Sequence, residues 1–150
     1  MIRDDIKAAM IAAMKGGDKD ATQTLRLALA AIKNRDIEAR TGGAPATDDA
    51  MVSEVLQKMI KQRRESAEIY RANARADRAE AEEAEIAILE RFLPAQLSED
   101  DAQAAIAAII AETGAASMKD MGRVMAAVKE RHPTSIEPAR ASALVRAALA

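Results

Sequence analysis

The sequence predicts an all-α fold, with an N-terminal helical part that contains one long helix, followed by a small three-helix bundle. Three observations carry this prediction. Alanine fills about a quarter of the 150 positions, aromatic residues amount to one Tyr and one Phe, and apolar residues recur every three or four positions between glycine and proline breakers. Ala is the strongest helix former, whereas sheets draw heavily on aromatic and β-branched side chains. The breakers are Gly16-Gly17, Gly42-Gly43-Ala44-Pro45, Asn73-Ala74-Arg75, Pro94, Gly114 and the Pro133 to Pro138 link, and they delimit seven predicted helices.

The first helix is predicted over Ile2 to Lys15, with Ile2, Ile6, Met10 and Ala13 at helical spacing and Asp4 and Asp5 near the positive N-terminal end. Gly16 ends it. The second runs from Ala21 to Arg40, with Leu25, Ala28, Leu29 and Ile32 on one face, and Gly42 stops it. Thr47 is placed to cap a long third helix to Ala72, whose apolar positions are Val52, Val55, Leu56, Met59, Ile60, Ala67 and Tyr70. Asp77 is expected to cap an acidic fourth helix with the stripe Ile86, Leu89, Phe92 and Leu93. Pro94 disfavours helical backbone at Leu93, which marks residues 94–97 as a junction between a 1–93 domain and a 98–150 domain.

In the second part, Ser98-Glu99-Asp100-Asp101 reads as a capping box with Asp in place of Glu, opening a fifth helix that turns Ala102, Ile106, Ile109 and Ile110 inward until Gly114. Ser117-Met118-Lys119-Asp120 repeats that pattern for a sixth, with Met118, Met121, Val124, Met125 and Val128 as apolar positions. Pro138 suits the first turn of a seventh, which presents Ala141, Leu144, Val145 and Leu149. Three short helices with short connections make a small bundle.

Composition excludes several classes. With no Cys there are no disulfides, thiolate nucleophiles or zinc-thiolate sites, and a reducing compartment is expected. His132 is the lone His and stands before Pro133 where a helix ends, so neither a Ser-His nor a Cys-His constellation can be assembled. Glu80, Glu82, Glu83, Glu85 and Glu90 lack the histidine half of a bundle metal site and read as a solvated acidic face. No phosphate-cradling Gly loop is present. The reading is therefore of no catalytic residue, no metal and no cofactor. The chain start resembles neither a signal nor a transit peptide, and no apolar run approaches the roughly 18 to 20 residues that span a bilayer, so a soluble, cytoplasmic protein without membrane contact is expected.

Twenty-two Lys and Arg against 24 Asp and Glu give a formal charge of -2, so any anion binding is local. Between Lys58 and Arg78, seven cations (Lys58, Lys61, Arg63, Arg64, Arg71, Arg75, Arg78) face three acids (Glu65, Glu68, Asp77), a local excess of four. Part of that set shares a helix face, and Lys58, Lys61 and Arg64 are its candidate phosphate contacts. The bland reading is a solvated helix paired with the acidic helix after it. Lys119 and Arg123 stand one turn apart beside the Ser117 cap, where unpaired backbone donors gather, which makes a compact candidate anion site. Gly122 between them costs about 1 kcal/mol of helix propensity relative to Ala, so either a neighbouring helix or a nucleic-acid backbone is expected to approach it.

Leu93-Pro94-Ala95-Gln96-Leu97-Ser98, then Thr113-Gly114-Ala115, then Lys119-Asp120-Met121-Gly122-Arg123-Val124-Met125 resemble the GatB/YqeY family. Upstream, Thr24-Leu25-Arg26-Leu27, Ala31-Ile32-Lys33-Asn34, Ile60-Lys61-Gln62-Arg63-Arg64 and Glu82-Glu83-Ala84-Glu85-Ile86 are similar to the stand-alone YqeY-like proteins, so the resemblance covers essentially the whole chain. It implies a two-part all-helical protein whose second part is similar to the tRNA-contacting tail of the B subunit of the tRNA-dependent amidotransferases. The kinase-like cradle of that subunit and its amidase partner have no counterpart here, so amide transfer by this chain alone is not implied. Carried over by position, the segment Asp120 to Met125 is the signature, and Lys119 and Arg123 are the implied phosphate contacts. Two departures stand out: Ala126 where the family often has Gly, and Pro133 to Pro138 where it has a Gly-containing turn.

The functional expectation is a non-catalytic helical module that recognises tRNA by shape and phosphates rather than by base stacking, for which one Tyr and one Phe are too few. Two alternatives remain open at this point. One is an adaptor that docks on a synthetase or amidotransferase without RNA; the other is an accessory to a carbon-nitrogen ligase using glutamine as amido donor.

Overall fold

The structure is a computed structural model and describes residues 1–45 and 47–150. Its described residues form seven α-helices and one 3-10 turn, with no strand: α1 (Ile2–Lys15), α2 (Lys19–Ala39), α3 (Asp48–Ala72), α4 (Ala76–Glu90), α5 (Glu99–Thr113), the 3-10 turn Met118–Asp120, α6 (Met121–Arg131) and α7 (Pro138–Leu149). Contacts gather into two compact units, Met1–Leu93 and Pro94–Ala150.

In the first unit, Gly16 keeps helical backbone and the left-handed position falls on Gly17, at φ +73°. Asp18 then accepts the Ala21 N–H at 3.0 Å, which starts α2 at Lys19, two residues ahead of the predicted Ala21. Thr47 caps α3 as expected, its hydroxyl oxygen accepting the Ala50 N–H at 3.1 Å. Asp77 does not cap α4. Arg75 occupies that position and Asp77 lies inside the first turn, where its carboxylate meets the Arg75 guanidinium at 3.4 Å. The reversal before it passes through Ala74 at φ +56°, which shifts the helix start and leaves Asp77 two residues too late to cap.

The core is built on α3. Val52, Leu56 and Ile60 are buried against Ile6 of α1, Leu25 and Ile32 of α2, and Ile86 and Leu89 of α4. Fully burying side chains of this size contributes roughly 1.5–3 kcal/mol each. Ser53, on the same helix and also buried, has a hydroxyl without a hydrogen-bond partner among the described residues.

Ion pairs finish one end of this unit. Arg3 of α1 forks onto both Asp36 oxygens at 2.7 Å and onto Asp48 at 2.7 and 3.2 Å, while the Ile2 N–H donates to Asp49 at 3.0 Å. One guanidinium thus ties the ends of three helices, a bidentate geometry that lysine cannot reproduce.

In the second unit, Ala102, Ile106, Ile109, Val124, Val128, Ala141 and Val145 bring α5, α6 and α7 around one core. The Ser98 hydroxyl accepts the Asp101 N–H at 3.1 Å, and Gly114 closes α5 at φ +68°. The proline-bounded link is ordered by its own contacts. Ile136 is buried, Ser135 O accepts the Leu97 N–H at 2.9 Å, and Thr134 O accepts the Gln96 amide at 2.7 Å. Arg140 adds bonds to Leu97 O at 2.7 Å and Glu99 at 3.2 Å. The residues expected as a junction are thereby stitched to the start of α7. Met118, one of the apolar positions assigned to the sixth helix, is 42% exposed, because it lies in the 3-10 turn ahead of α6.

Hydrogen bonding from Arg3 holds the Asp36 carboxyl below its ordinary pKa of 3.8. A depressed carboxylate pKa contributes stability above the unfolded value and loses it as pH falls through the folded one. Arg3→Met is therefore expected to lower the urea midpoint at pH 6, with the gap to the native chain narrowing once pH falls below the ordinary carboxyl value of 3.8. A gap constant with pH would show that the clamp acts through packing of the Arg3 stem alone.

Candidate nucleic-acid interface

The start of α6 is the more defined of the two basic sites. Asp120 ends the 3-10 turn and folds its carboxylate back, accepting the Ala116 N–H at 2.9 Å and the Ser117 N–H at 3.3 Å; its other oxygen accepts from the Arg123 guanidinium at 3.1 Å. Those two backbone bonds, with Arg123 behind them, hold the Asp120 carboxyl below the usual carboxylate range. Two backbone donors just ahead of the turn, those of Ala116 and Ser117, are thus taken by the protein's own carboxylate. The side-chain layer is open to a ligand: Lys119, exposed and without an ion-pair partner among the described residues, and Arg123, exposed and using one of its five N–H groups on Asp120.

Gly122 lies between them on the outer face of α6. A Cβ built there meets nothing within 4 Å, and its backbone does not need glycine's freedom. Of the two expected neighbours, a packed helix is absent at this point among the described residues, and the surface over Gly122 is open. Ala126, one turn on, is exposed as well, so the face carries two small residues beside Lys119 and Arg123.

The α3 cations have a different setting. Arg63 bonds Glu85 at 2.8 Å, Arg64 bonds Glu90 at 2.8 Å, Arg71 bonds Glu83, and the Arg78 guanidinium sits 5.9 Å from the Tyr70 ring. Pairing 71 with 83, 63 with 85 and 64 with 90 is the register of an antiparallel hairpin, and α3 makes its most extensive contacts with α4. The acidic stretch of α4 is thereby the internal counter-charge of α3, and among the described residues no three His, Asp or Glu side chains converge to hold a metal ion. Of the three residues expected here, Arg64 is engaged by Glu90, while Lys58 and Lys61 are exposed and unpaired among the described residues.

His132 ends α6, and its Nδ1 lies 3.3 Å from the Ser135 hydroxyl inside the link. Sequence reasoning missed Arg140 and Arg3, the two arginines that organise each unit. Their acceptors lie 41 to 43 and 33 to 45 residues away, beyond any local pattern. No helix of the described residues is long and apolar enough to cross a membrane.

These features define a small all-helical protein of two compact units, with an open, cation-flanked glycine on the second. The chain belongs to the YqeY-like family, whose model matches residues 3–149 under the description Yqey-like protein. An uncharacterized protein of Schizosaccharomyces pombe is 37% identical over 93 residues, 62% of this chain and 72% of that protein. Proteins named altered inheritance of mitochondria protein 41, mitochondrial, are 35% identical over 92 residues in Lachancea thermotolerans and 31% identical over 96 residues in Eremothecium gossypii. The matches cover 61% and 63% of this chain but 46% and 48% of those two proteins, so the chain spans about half of their length. Their names lend no support to the cytoplasmic expectation.

Because no atom of the described residues fills the space over Gly122, Gly122→Ala is expected to leave the fold intact and to raise stability by up to about 1 kcal/mol through helix propensity. Thermal denaturation checks it; a fall in the midpoint would show that the glycine serves the fold itself.

Proposed function

We propose that the chain is a non-catalytic module that binds structured RNA, tRNA foremost, by shape and phosphate contacts, in connection with tRNA-dependent amidation. The observation that carries this reading is the solvent-open backbone at Gly122 between Lys119 and Arg123. Glycine weakens a helix, and here nothing among the described residues makes use of the missing side chain. A phosphate backbone does: it approaches the bare helix closely while the two cations meet its charge. The family membership and the resemblance of the Lys119 to Met125 segment to a tRNA-contacting tail support the same reading. Lys58 and Lys61 are assigned as secondary phosphate contacts, since neither is committed to α4. Arg64 is assigned a lesser share, its exposed pair with Glu90 being of the kind that holds little energy.

The test is the affinity of the intact protein for deacylated tRNA across a salt series. Phosphate contacts release counterions, so affinity falls linearly with salt on logarithmic axes. Lys119→Ala with Arg123→Ala is expected to weaken binding and to reduce the slope by about one for each cation removed. Absence of binding at low salt, or an unchanged slope in the double variant, would overturn the assignment.

A further inference from the structure

Two motifs of α2 are only half explained by the core. In Thr24-Leu25-Arg26-Leu27 and Ala31-Ile32-Lys33-Asn34, the residues Thr24, Leu25 and Ile32 are buried, whereas Arg26 and Lys33 are exposed and stand seven residues apart. Arg40 repeats the spacing where α2 ends, exposed and still in helical backbone at φ -66° and ψ -25°. Seven residues fall about 20° short of two full turns, so the three cations form one row along α2, about 21 Å from end to end.

Contacts with α1 fix where this row lies. The Arg26 guanidinium is 3.7 Å from the Met14 sulfur, and Asp36 receives the Arg3 fork from the other end of α1. Arg26 and Asp36 therefore bound the arc of α2 that borders α1, about 80° wide, and Lys33 and Arg40 fall inside it at about 100° per residue. Arg3 above all, then Arg40 and Lys7, hold the Asp36 carboxyl below its ordinary value, which brings Lys7 of α1 to the same end of the row. At the other end, Arg26 and Lys19 border a groove of about 420 Å³ beside the Gly16-Gly17 turn.

Charge separates this furrow from the α3–α4 hairpin. There the arginines are answered by glutamates; here Lys19, Arg26, Lys33 and Arg40 have no ion-pair partner among the described residues. Asp36 is taken by Arg3, and Asp18 caps α2. Asp20 and Glu38 share another face of α2, about 120° or more round from each of the three cations. Asp4 stands one turn before Lys7 and tempers that end, which leaves Arg26, Lys33 and Arg40 as the main charge of the row. Cations repeating every two turns answer a ligand whose charge also repeats along its length, as a nucleic-acid backbone does, and the two guanidinium groups offer phosphate bidentate donors. An acidic amphipathic helix is the poorer match, because Leu29, the apolar residue of α2 within the arc, packs against the core and offers it no seat.

We propose that the furrow between α1 and α2 is a second phosphate-binding surface, in which Arg26, Lys33 and Arg40 track the backbone of an RNA strand. It rests on the reading of the chain as an RNA-binding module but not on the α6 residues, so each of the two units carries its own contact with RNA.

The probe is fluorescein-labelled deacylated tRNA, titrated with the full-length chain across a salt series and read by anisotropy. Arg26→Ala, Lys33→Ala and Arg40→Ala together are expected to weaken binding about tenfold or more at low salt and to lower the logarithmic salt slope by about one for each cation. All three positions are exposed, and unchanged circular dichroism verifies the fold. Arg26→Lys with Arg40→Lys, which keeps the charge, is expected to keep the slope. Combined with Lys119→Ala and Arg123→Ala, the losses are expected to add on a logarithmic scale, as for separate sites. The proposal is overturned if the triple variant keeps the native affinity and slope; a loss confined to the α6 variant then leaves the RNA reading standing without the furrow. A loss confined to the triple variant does the reverse, upholding the furrow and striking the α6 site. A native chain that binds no tRNA at low salt overturns both. The proposal is also overturned if labelled poly-L-glutamate binds the native chain as tightly as tRNA and loses that affinity in the triple variant, which would make the furrow a surface for acidic polypeptides.

Discussion

Burial of one face of α3 is the constraint from which the first unit follows. Val52, Leu56 and Ile60 recur at helical spacing over a 25-residue helix, and three other helices are needed to cover them. A stripe of this length cannot be hidden by a single neighbour. Once α4 packs back along α3, the register that buries Ile86 and Leu89 also sets Glu83, Glu85 and Glu90 opposite Arg71, Arg63 and Arg64. The ion pairs are thus a consequence of apolar packing. Exposed pairs of this kind add little energy of their own, but they remove charge from the surface.

That removal decides where function is sought. The strongest local excess of cations in the sequence is largely neutralised by the fold, whereas smaller groups that look unremarkable in composition stay open to solvent. Lys119 and Arg123 flank a glycine that no atom of the described residues approaches. Asp120 sharpens this site. By accepting the Ala116 and Ser117 N–H groups it fixes the turn ahead of α6, while Lys119 and Arg123 stay exposed.

The all-helical class and most helix limits were legible because they depend on local physics: breakers, caps and a 3.6-residue apolar period. Thr47, Ser98, Gly114 and Pro138 act where the pattern puts them. The local misses have local causes. Asp77 reads as a cap until Ala74 takes positive φ and advances the helix, and Met118 reads as part of the sixth helix until its turn tightens to 3-10. Of the candidate site, residue identities were legible but their availability was not. Whether Arg64 is free or held by Glu90 depends on a partner 26 residues away, and whether Gly122 is covered depends on how all three helices of its unit are arranged.

The claim that packing of α3, rather than its ion pairs, holds the first unit together has a direct measurement. Tyr70 is the single tyrosine and lies on α3, so its fluorescence during urea unfolding reports this unit. Leu56→Ala, which empties a fully buried position, is expected to cost about 2–5 kcal/mol. Arg64→Ala with Arg71→Ala is expected to move the midpoint by only a small fraction of that shift. An ion-pair variant as damaging as Leu56→Ala would contradict the account and make charge pairing the organising interaction of the α3–α4 hairpin.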